Sequence, residues 1–354
     1  MKKTVKLLFI VVVAVFSVCL IAAAGYIVNN LYYHKWDMKK VWKAGFHEKQ
    51  VSINGSTLNY VEGPDNGPPL LLIHGQVMNW ENYARVLPAL SREFHVYAVD
   101  CYGHGGSSHD ASKYSMSKTG KDLSGFVDKV IREPVIVSGH SSGGLLAAWL
   151  AANSPEHVSG VVLEDPPFFS SEFPRAKKTF NYVDLSVLCH EFLQSDEKDF
   201  TAWYVKHNTW MRFFQAGESG LRKYGLDYRK KHPRQPLVYF FLPPSMNQLF
   251  QPLDQYDPRF GEAFYDGSWN DQDHEEMLAK IEIPSVLIHT NWQYDQNGIL
   301  LGAMDGKDAS RAYQLLKNSE RIRVDSGHGF HFEKPEEFIK ILLEFKIKRG
   351  LNES

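Results

Sequence analysis

The order of hydrophobic and polar positions divides the 354-residue chain into three regimes. The first is an uninterrupted apolar run, LLFIVVVAVFSVCLIAAAGYIV, from Leu7 to Val28, without a charge. As a helix it would extend ~33 Å at ~1.5 Å per residue, enough for a ~30 Å hydrocarbon core. The second regime begins near Gln50 and consists of short strands punctuated by turns. VSINGSTLNYVEG alternates and carries Asn54-Gly55, a hairpin signal. PPLLLIHG, HVYAVD, PVIVSG and VSGVVLED are continuous apolar runs, as strands buried on both faces should be. Helical spacing separates them, as in Trp80 to Leu90 and Thr119 to Ile131. Such alternation predicts a mostly parallel sheet with helices on both faces, an α/β architecture.

The third regime runs from about Pro166 to Lys280, where the pattern turns aromatic and charged and reads as helices broken by prolines. Strand character returns at IPSVLIHT and ERIRVDSG, followed by an amphipathic helix from Pro335 to Lys348. The expected organisation is therefore an anchor and short linker over residues 1–34 and a first core segment over 45–165. A helical cap over 166–280 and a second core segment over 281–350 complete it.

Composition narrows the classes. Hydrophobic content of 44% and charged content of 23% are ordinary for a globular chain. A formal charge of −2, with no long basic run, argues against a nucleic-acid partner. Cys19, Cys101 and Cys189 are too few and too scattered for a disulfide framework or a zinc site. For the N-terminal run, a cleaved signal peptide is the rival of an anchor, since Ala22-Ala23-Ala24 resembles a cleavage site. The run is longer than a usual signal core and continues through Tyr26-Ile27-Val28, which favours membrane attachment through residues 7–28. Lys2, Lys3 and Lys6 before the span nearly balance Lys35, Lys39, Lys40 and Lys43 after it. A short basic tail before a long domain favours an extracytoplasmic domain, secreted if the segment is cleaved.

Candidate chemistry centres on Gly139-His140-Ser141-Ser142-Gly143, between a β-branched run and an Ala/Leu-rich helix. A serine hydroxyl is a weak nucleophile and needs a base, a group orienting that base, and donors for the developing oxyanion. Gly-x-Ser-x-Gly at a strand-to-helix turn pushes the serine outward, and the next backbone N–H, that of Ser142, points at the site from a helix N-terminus. Alone, the pentapeptide could be a tight turn in a non-catalytic sheet.

Four segments together resemble the α/β-hydrolase superfamily. LLLIHGQ, Leu70 to Gln76, is similar to its oxyanion strand. Asp100, Gly103, His104, Gly105 and Ser107 match its Asp-x-x-Gly-His-Gly-x-Ser signature. GHSSGG is similar to its nucleophile elbow, and SGHGFHFEKPEEF, Ser326 to Phe338, to its C-terminal histidine motif. The resemblance implies that Ser141 is the nucleophile, His328 the general base, and Gln76 and Ser142 the backbone oxyanion donors. His74, His104, His140 and His331 are then expected to pack or to orient loops. The acid departs from the pattern. Thr290 stands where the family has glycine after the penultimate strand, and Gln293 where it has aspartate. Asp295, two residues on, is the expected acid, with Asp165 at the end of VVLEDPP the alternative. Glu164 should face elsewhere, because strand neighbours point to opposite sides.

A serine at the elbow argues against epoxide hydrolase and haloalkane dehalogenase chemistry, because such relatives carry aspartate there. The expectation is an acyl-enzyme hydrolase with a Ser-His-Asp mechanism for a small-molecule carboxylic ester, apolar and either lipid-like or aromatic in its acyl group, in view of the aromatic cap and anchor. No cofactor and no metal are implied. The alternatives are an amide or C–C bond hydrolase of the same fold, and a non-catalytic ligand-binding protein.

Overall fold

Asn54 and Gly55 both adopt positive φ, at 47° and 84°, the backbone that a two-residue hairpin turn requires. They join β1 (His47–Ile53) to β2 (Ser56–Glu62) in antiparallel register, with Ile53 opposite Ser56. The computed structural model describes residues 2–233 and 235–348; Met1 and the expected core end at residue 350 lie outside them. β2 pairs antiparallel with β4 (His95–Val99). From there β3 (Pro69–Ile73), β5 (Val135–His140), β6 (Val158–Glu164), β7 (Ser285–His289) and β10 (Ser319–Arg323) run parallel. The sheet order is β1-β2-β4-β3-β5-β6-β7-β10. β8 (Gln293–Tyr294) and β9 (Leu300–Leu301) form a separate two-stranded ladder.

β3 and β5 are buried along their whole length, which explains their unbroken apolar sequence. One face of the sheet packs under the helices Met116–Phe126 and Ser142–Asn153, in a core that continues into the segment between β6 and β7. The other face packs against Trp80, Leu87, the terminal helix Pro335–Lys348 and the end of the N-terminal helix. Two expectations change. Trp80 to Leu90 is no single helix but a 3₁₀ turn, Trp80–Tyr83, and one α-turn, Leu87–Leu90. Pro88, lacking an N–H, cannot continue a helical ladder from the first turn into the second. The residues expected as a linker after the apolar run are helical, and one helix runs from Lys2 to Lys43.

That helix has two halves of different character. The apolar stretch through Val28 lies almost wholly exposed, long and apolar enough to cross a membrane. Beyond it, Asn30, Tyr33, Met38 and Val41 are buried on the globular part. Asn30 Nδ2 donates to the Phe240 carbonyl at 3.0 Å, and Tyr33 donates to Gln251 Oε1 at 2.8 Å. Arg85 pairs with Asp37 at 3.1 Å. Burying Met38 and Val41 contributes roughly 1.5–3 kcal/mol each. A chain starting at Asn29 should therefore unfold near the full-length midpoint in denaturant, whereas one starting at Ala44 should lose ~3 kcal/mol or more. Equal stability of the two truncations would contradict this packing.

Candidate active site

The parallel strands end at one edge, and the candidate residues gather there. β5 stops at His140, and Ser141 takes φ 54° and ψ −122° before the helix Ser142–Asn153 begins. A non-glycine residue in that region costs about 1–3 kcal/mol and persists only where its surroundings enforce it. Here the Ser141 N–H donates to the Glu164 carbonyl at 2.9 Å, and the Ser141 carbonyl receives Gly144 N–H at 2.8 Å. Gly143 is obligatory for this turn, since a Cβ there would collide with the backbone carbonyls of Ile73 and His74. Gly75 approaches from β3, and a Cβ on it would sit 2.9 Å from both Ser141 Cβ and His140 Nδ1.

His328 follows β10. Its Nδ1 lies 2.7 Å from Asp165 Oδ2, and the carboxylate is 1% exposed. Asp165 directly follows β6 and has a positive φ of 45°. Its N–H is fixed on the Ile288 carbonyl, and Thr290 Oγ1 donates to Oδ2 at 2.6 Å. The imidazole thus meets a carboxylate already held by its neighbouring strand. Burial alone would lower the His328 pKa, but the hydrogen bond and charge of Asp165, aided by Glu164 and Glu333, raise it above its usual 6.5.

The expectation that Asp295 orients His328 is corrected by this geometry. Asp295 accepts from the N–H groups of Asn297 and Ile299, both at 2.8 Å, closing the loop between β8 and β9. Those amides hold its carboxyl below the ordinary range. Its turn role explains why an aspartate stands two residues beyond the family position. Thr290 went unrecognised in the sequence. The signal was present in the missing glycine and missing aspartate, which left the Thr290 hydroxyl to bind the carboxylate on the adjacent strand.

The other histidines hold loops. His74 donates from Nδ1 to the Gly75 carbonyl and accepts Cys101 N–H at 2.9 Å. Burial pushes its pKa down to about 4. His104 donates to the Tyr102 carbonyl and accepts Val77 N–H at 3.1 Å, while Asp100 accepts from the N–H groups of Trp80 and Gly106. His140 lies against His328, with ring centroids 4.6 Å apart, and its Nε2 donates to the His328 carbonyl at 2.9 Å. Burial holds His140 at about 3, so it stays neutral at physiological pH.

Ser141, Ser142, His328 and Gln76 all line one cavity of about 390 Å³, a size suited to a small organic ligand. The N–H groups of Gln76 and Ser142 make no hydrogen bond to another described residue. Away from Ser141 the wall is largely apolar: Phe180, Leu185, Trp210, Met246, Leu249 and Phe264, all from between β6 and β7. Many other aromatics of that segment, including Tyr239, Phe250, Phe260 and Trp269, are buried among themselves as its core.

The chain belongs to the α/β-hydrolase fold family, whose sequence model matches residues 68–335. Bifunctional epoxide hydrolase 2 of Sus scrofa is 26% identical over 317 residues, covering 82% of this chain and 53% of that protein. A serine hydrolase-like protein of Homo sapiens is 30% identical over 122 residues, 34% of this chain and 60% of that one. The chain spans about half the length of the curated relatives it matches. Among solved structures, a bacterial membrane phospholipase A is similar with a TM-score of 0.57 at 22% identity, and 99% of each chain is covered. That likeness is one of fold.

The geometry fixes how His328 should titrate. Followed by NMR, its imidazole should lose its proton above the ordinary 6.5 in the unaltered protein. Asp165→Asn should bring that midpoint down, because the hydrogen-bonded negative charge is gone, and Asp295→Asn should leave it in place. The reverse pattern would return the role to Asp295.

Proposed function

We propose that this protein is a membrane-anchored serine hydrolase that cleaves carboxylic esters with an apolar, lipid-like acyl group. Ser141 is its nucleophile, His328 its base and Asp165 its orienting acid. The observation that carries this reading is the 2.7 Å contact of His328 Nδ1 with buried Asp165, on the same cavity wall as the outward-turned Ser141. With Nδ1 committed to Asp165, the proton is accepted at Nε2, which has no partner among the described residues.

In the reaction, Ser141 Oγ attacks the ester carbonyl carbon while its proton passes to His328 Nε2. The carbonyl oxygen takes up the negative charge and receives the N–H groups of Gln76 and Ser142. Loss of one such donor typically costs ~10²–10³ in kcat. Collapse expels the alkoxide, which takes the proton from His328 and leaves as the alcohol, with the acyl group on Ser141. Water then attacks the acyl-enzyme, giving its proton to His328, and the carboxylic acid departs as Ser141 is reprotonated. Asp165 accepts the Nδ1 hydrogen throughout and stabilises the imidazolium formed in each half. An aspartate nucleophile would suit epoxide or halide chemistry; the serine suits acyl transfer.

The anchor supports the choice of acyl group. At the end of the apolar span, Tyr26 within it and Asn30 just past it donate to the carbonyls of Phe241 and Phe240. A bilayer around residues 7–28 would therefore lie against the cap edge that continues through Met246 and Leu249, which line the cavity. Leu249 is 37% exposed and Phe213 63%, an apolar rim suited to a chain entering from lipid. The residues between β6 and β7 act in this reading as the acyl-binding cap. With lysines nearly balanced across the span, it is the short tail before a long domain that favours the extracytoplasmic side.

Two measurements test the reading together. A fluorophosphonate probe should label the wild-type protein and should fail to label Ser141→Ala. In a series of esters of one alcohol, medium and long acyl chains should exceed acetate in kcat/KM by ~10-fold or more, as added methylenes fill an apolar pocket. Labelling that survives Ser141→Ala would refute the nucleophile. A flat or short-chain profile would refute the lipid-like substrate. Absence of labelling in folded wild type would favour a ligand-binding protein.

A further inference from the structure

A second histidine–carboxylate pair lies beside the first. Glu164 and Asp165 are consecutive, and their side chains leave β6 on opposite sides. Asp165 takes His328, whereas Glu164 takes His331, three residues further along the same turn. His331 Nδ1 is 2.8 and 2.9 Å from the two Glu164 oxygens, and the His331 backbone N–H reaches Oε1 at 2.9 Å. Both side chains are completely buried. Burial opposes charge on Glu164, yet the charge and hydrogen bonds of His331 hold its carboxyl below the ordinary range.

The donor directions along this chain are forced. The Ser245 carbonyl can only accept, so Gln248 donates to it through Nε2 at 3.1 Å. Gln248 Oε1 therefore accepts from Asn82 Nδ2 at 2.5 Å, which turns Asn82 Oδ1 toward His331 Nε2 at 2.7 Å. His331 is thereby held at both ring nitrogens, by the Glu164 carboxyl at Nδ1 and by Asn82 Oδ1, which accepts from Nε2. Asn82 and Gln248 are buried as well. The His140 ring is wedged between the two pairs, with centroids 4.6 Å from His328 and 5.1 Å from His331.

We propose that Glu164 and His331 are positioning residues for His328, forming with Asn82 and Gln248 a buried tie that fixes the histidine turn to the sheet and to the cap. The proposal rests on His328 serving as the base. The tie clamps the turn from the side opposite Asp165, so that His328 presents Nδ1 to Asp165 and Nε2 to the cavity. A buried hydrophobic pair can replace a buried ion pair with little loss of stability, whereas removing one partner leaves an uncompensated charge. Stability and positioning are thereby separable.

The test compares the double variant Glu164→Leu/His331→Leu with Gln248→Leu, which cuts the far end of the tie without touching the sheet. On a soluble ester, the double variant should remain folded at the assay temperature, with a lowered melting point because the His331 N–H and Asn82 Oδ1 lose their partners. Its kcat should fall ~30-fold or more at nearly unchanged KM, as misplacement by about 1 Å costs on the order of 10² in rate. Gln248→Leu should lower kcat several-fold in the same way. A folded double variant with wild-type kcat would overturn the proposal. Should the double variant not fold, wild-type kcat in Gln248→Leu overturns it and a selective fall in kcat upholds it. Labelling persisting in Ser141→Ala would instead bring down the reading of the site on which the proposal rests.

Discussion

The hydrogen bond between Asp165 and His328 joins residues 163 apart in sequence, and the arrangement of the site depends on it. It forms only because β6 and β7 are adjacent and parallel, which brings the Asp165 carboxylate beside the Thr290 hydroxyl. β10, next in the sheet, then delivers the histidine turn from the other side. The same edge receives Ser141 from β5. Two of the three side chains sit on residues with left-handed φ, Ser141 and Asp165. Such backbone is tolerated where a packed sheet and helix over-determine it, and the wholly buried β3 and β5 provide that rigidity.

The sheet was legible because its physics is local. Runs such as LLLI and VIV cannot satisfy an exposed surface, and Asn54-Gly55 admits few turns besides the one formed. The elbow was legible in part for the same reason, since a Cβ on Gly139 would collide with the Gly143 carbonyl four residues on, although the space Gly143 needs is set by the distant Ile73 and His74 carbonyls. The carboxylate that meets His328 was not, because Asp165 and Asp295 both lie near strand ends and only tertiary position separates them. What distinguishes them is the hydroxyl of Thr290, directly after β7, whose relevance depends on strand order. The short turns at Trp80 and Leu87 were misread because their apolar spacing suits a helix while Pro88 breaks its ladder. The tie through Glu164, His331, Asn82 and Gln248 draws on four distant segments, and no sequence spacing announces it.

The N-terminal helix changes character without changing structure. Its first half has the composition of a membrane span, and its second half behaves as a core element, burying Met38 and Val41 and pairing Asp37 with Arg85. Arg85 also stacks on Phe332, 3.9 Å from the ring centroid, and donates to the Phe332 carbonyl at 3.0 Å. The helix thus reaches, through one arginine, the same turn that carries His328. In the proposed function, anchor, cap edge and histidine turn form one continuous body, which suits an enzyme whose substrate arrives from a lipid surface.

The most direct test of the catalytic assignment is a crystal structure of the protein inactivated by a long-chain alkyl fluorophosphonate. The account predicts phosphorus bonded to Ser141 Oγ, with the phosphoryl oxygen within about 2.7–3.1 Å of the N–H groups of Gln76 and Ser142. The alkyl chain should run toward Met246 and Leu249, with Asp165 still bonded to His328. An adduct on another side chain, or His328 turned to Asp295, would contradict it.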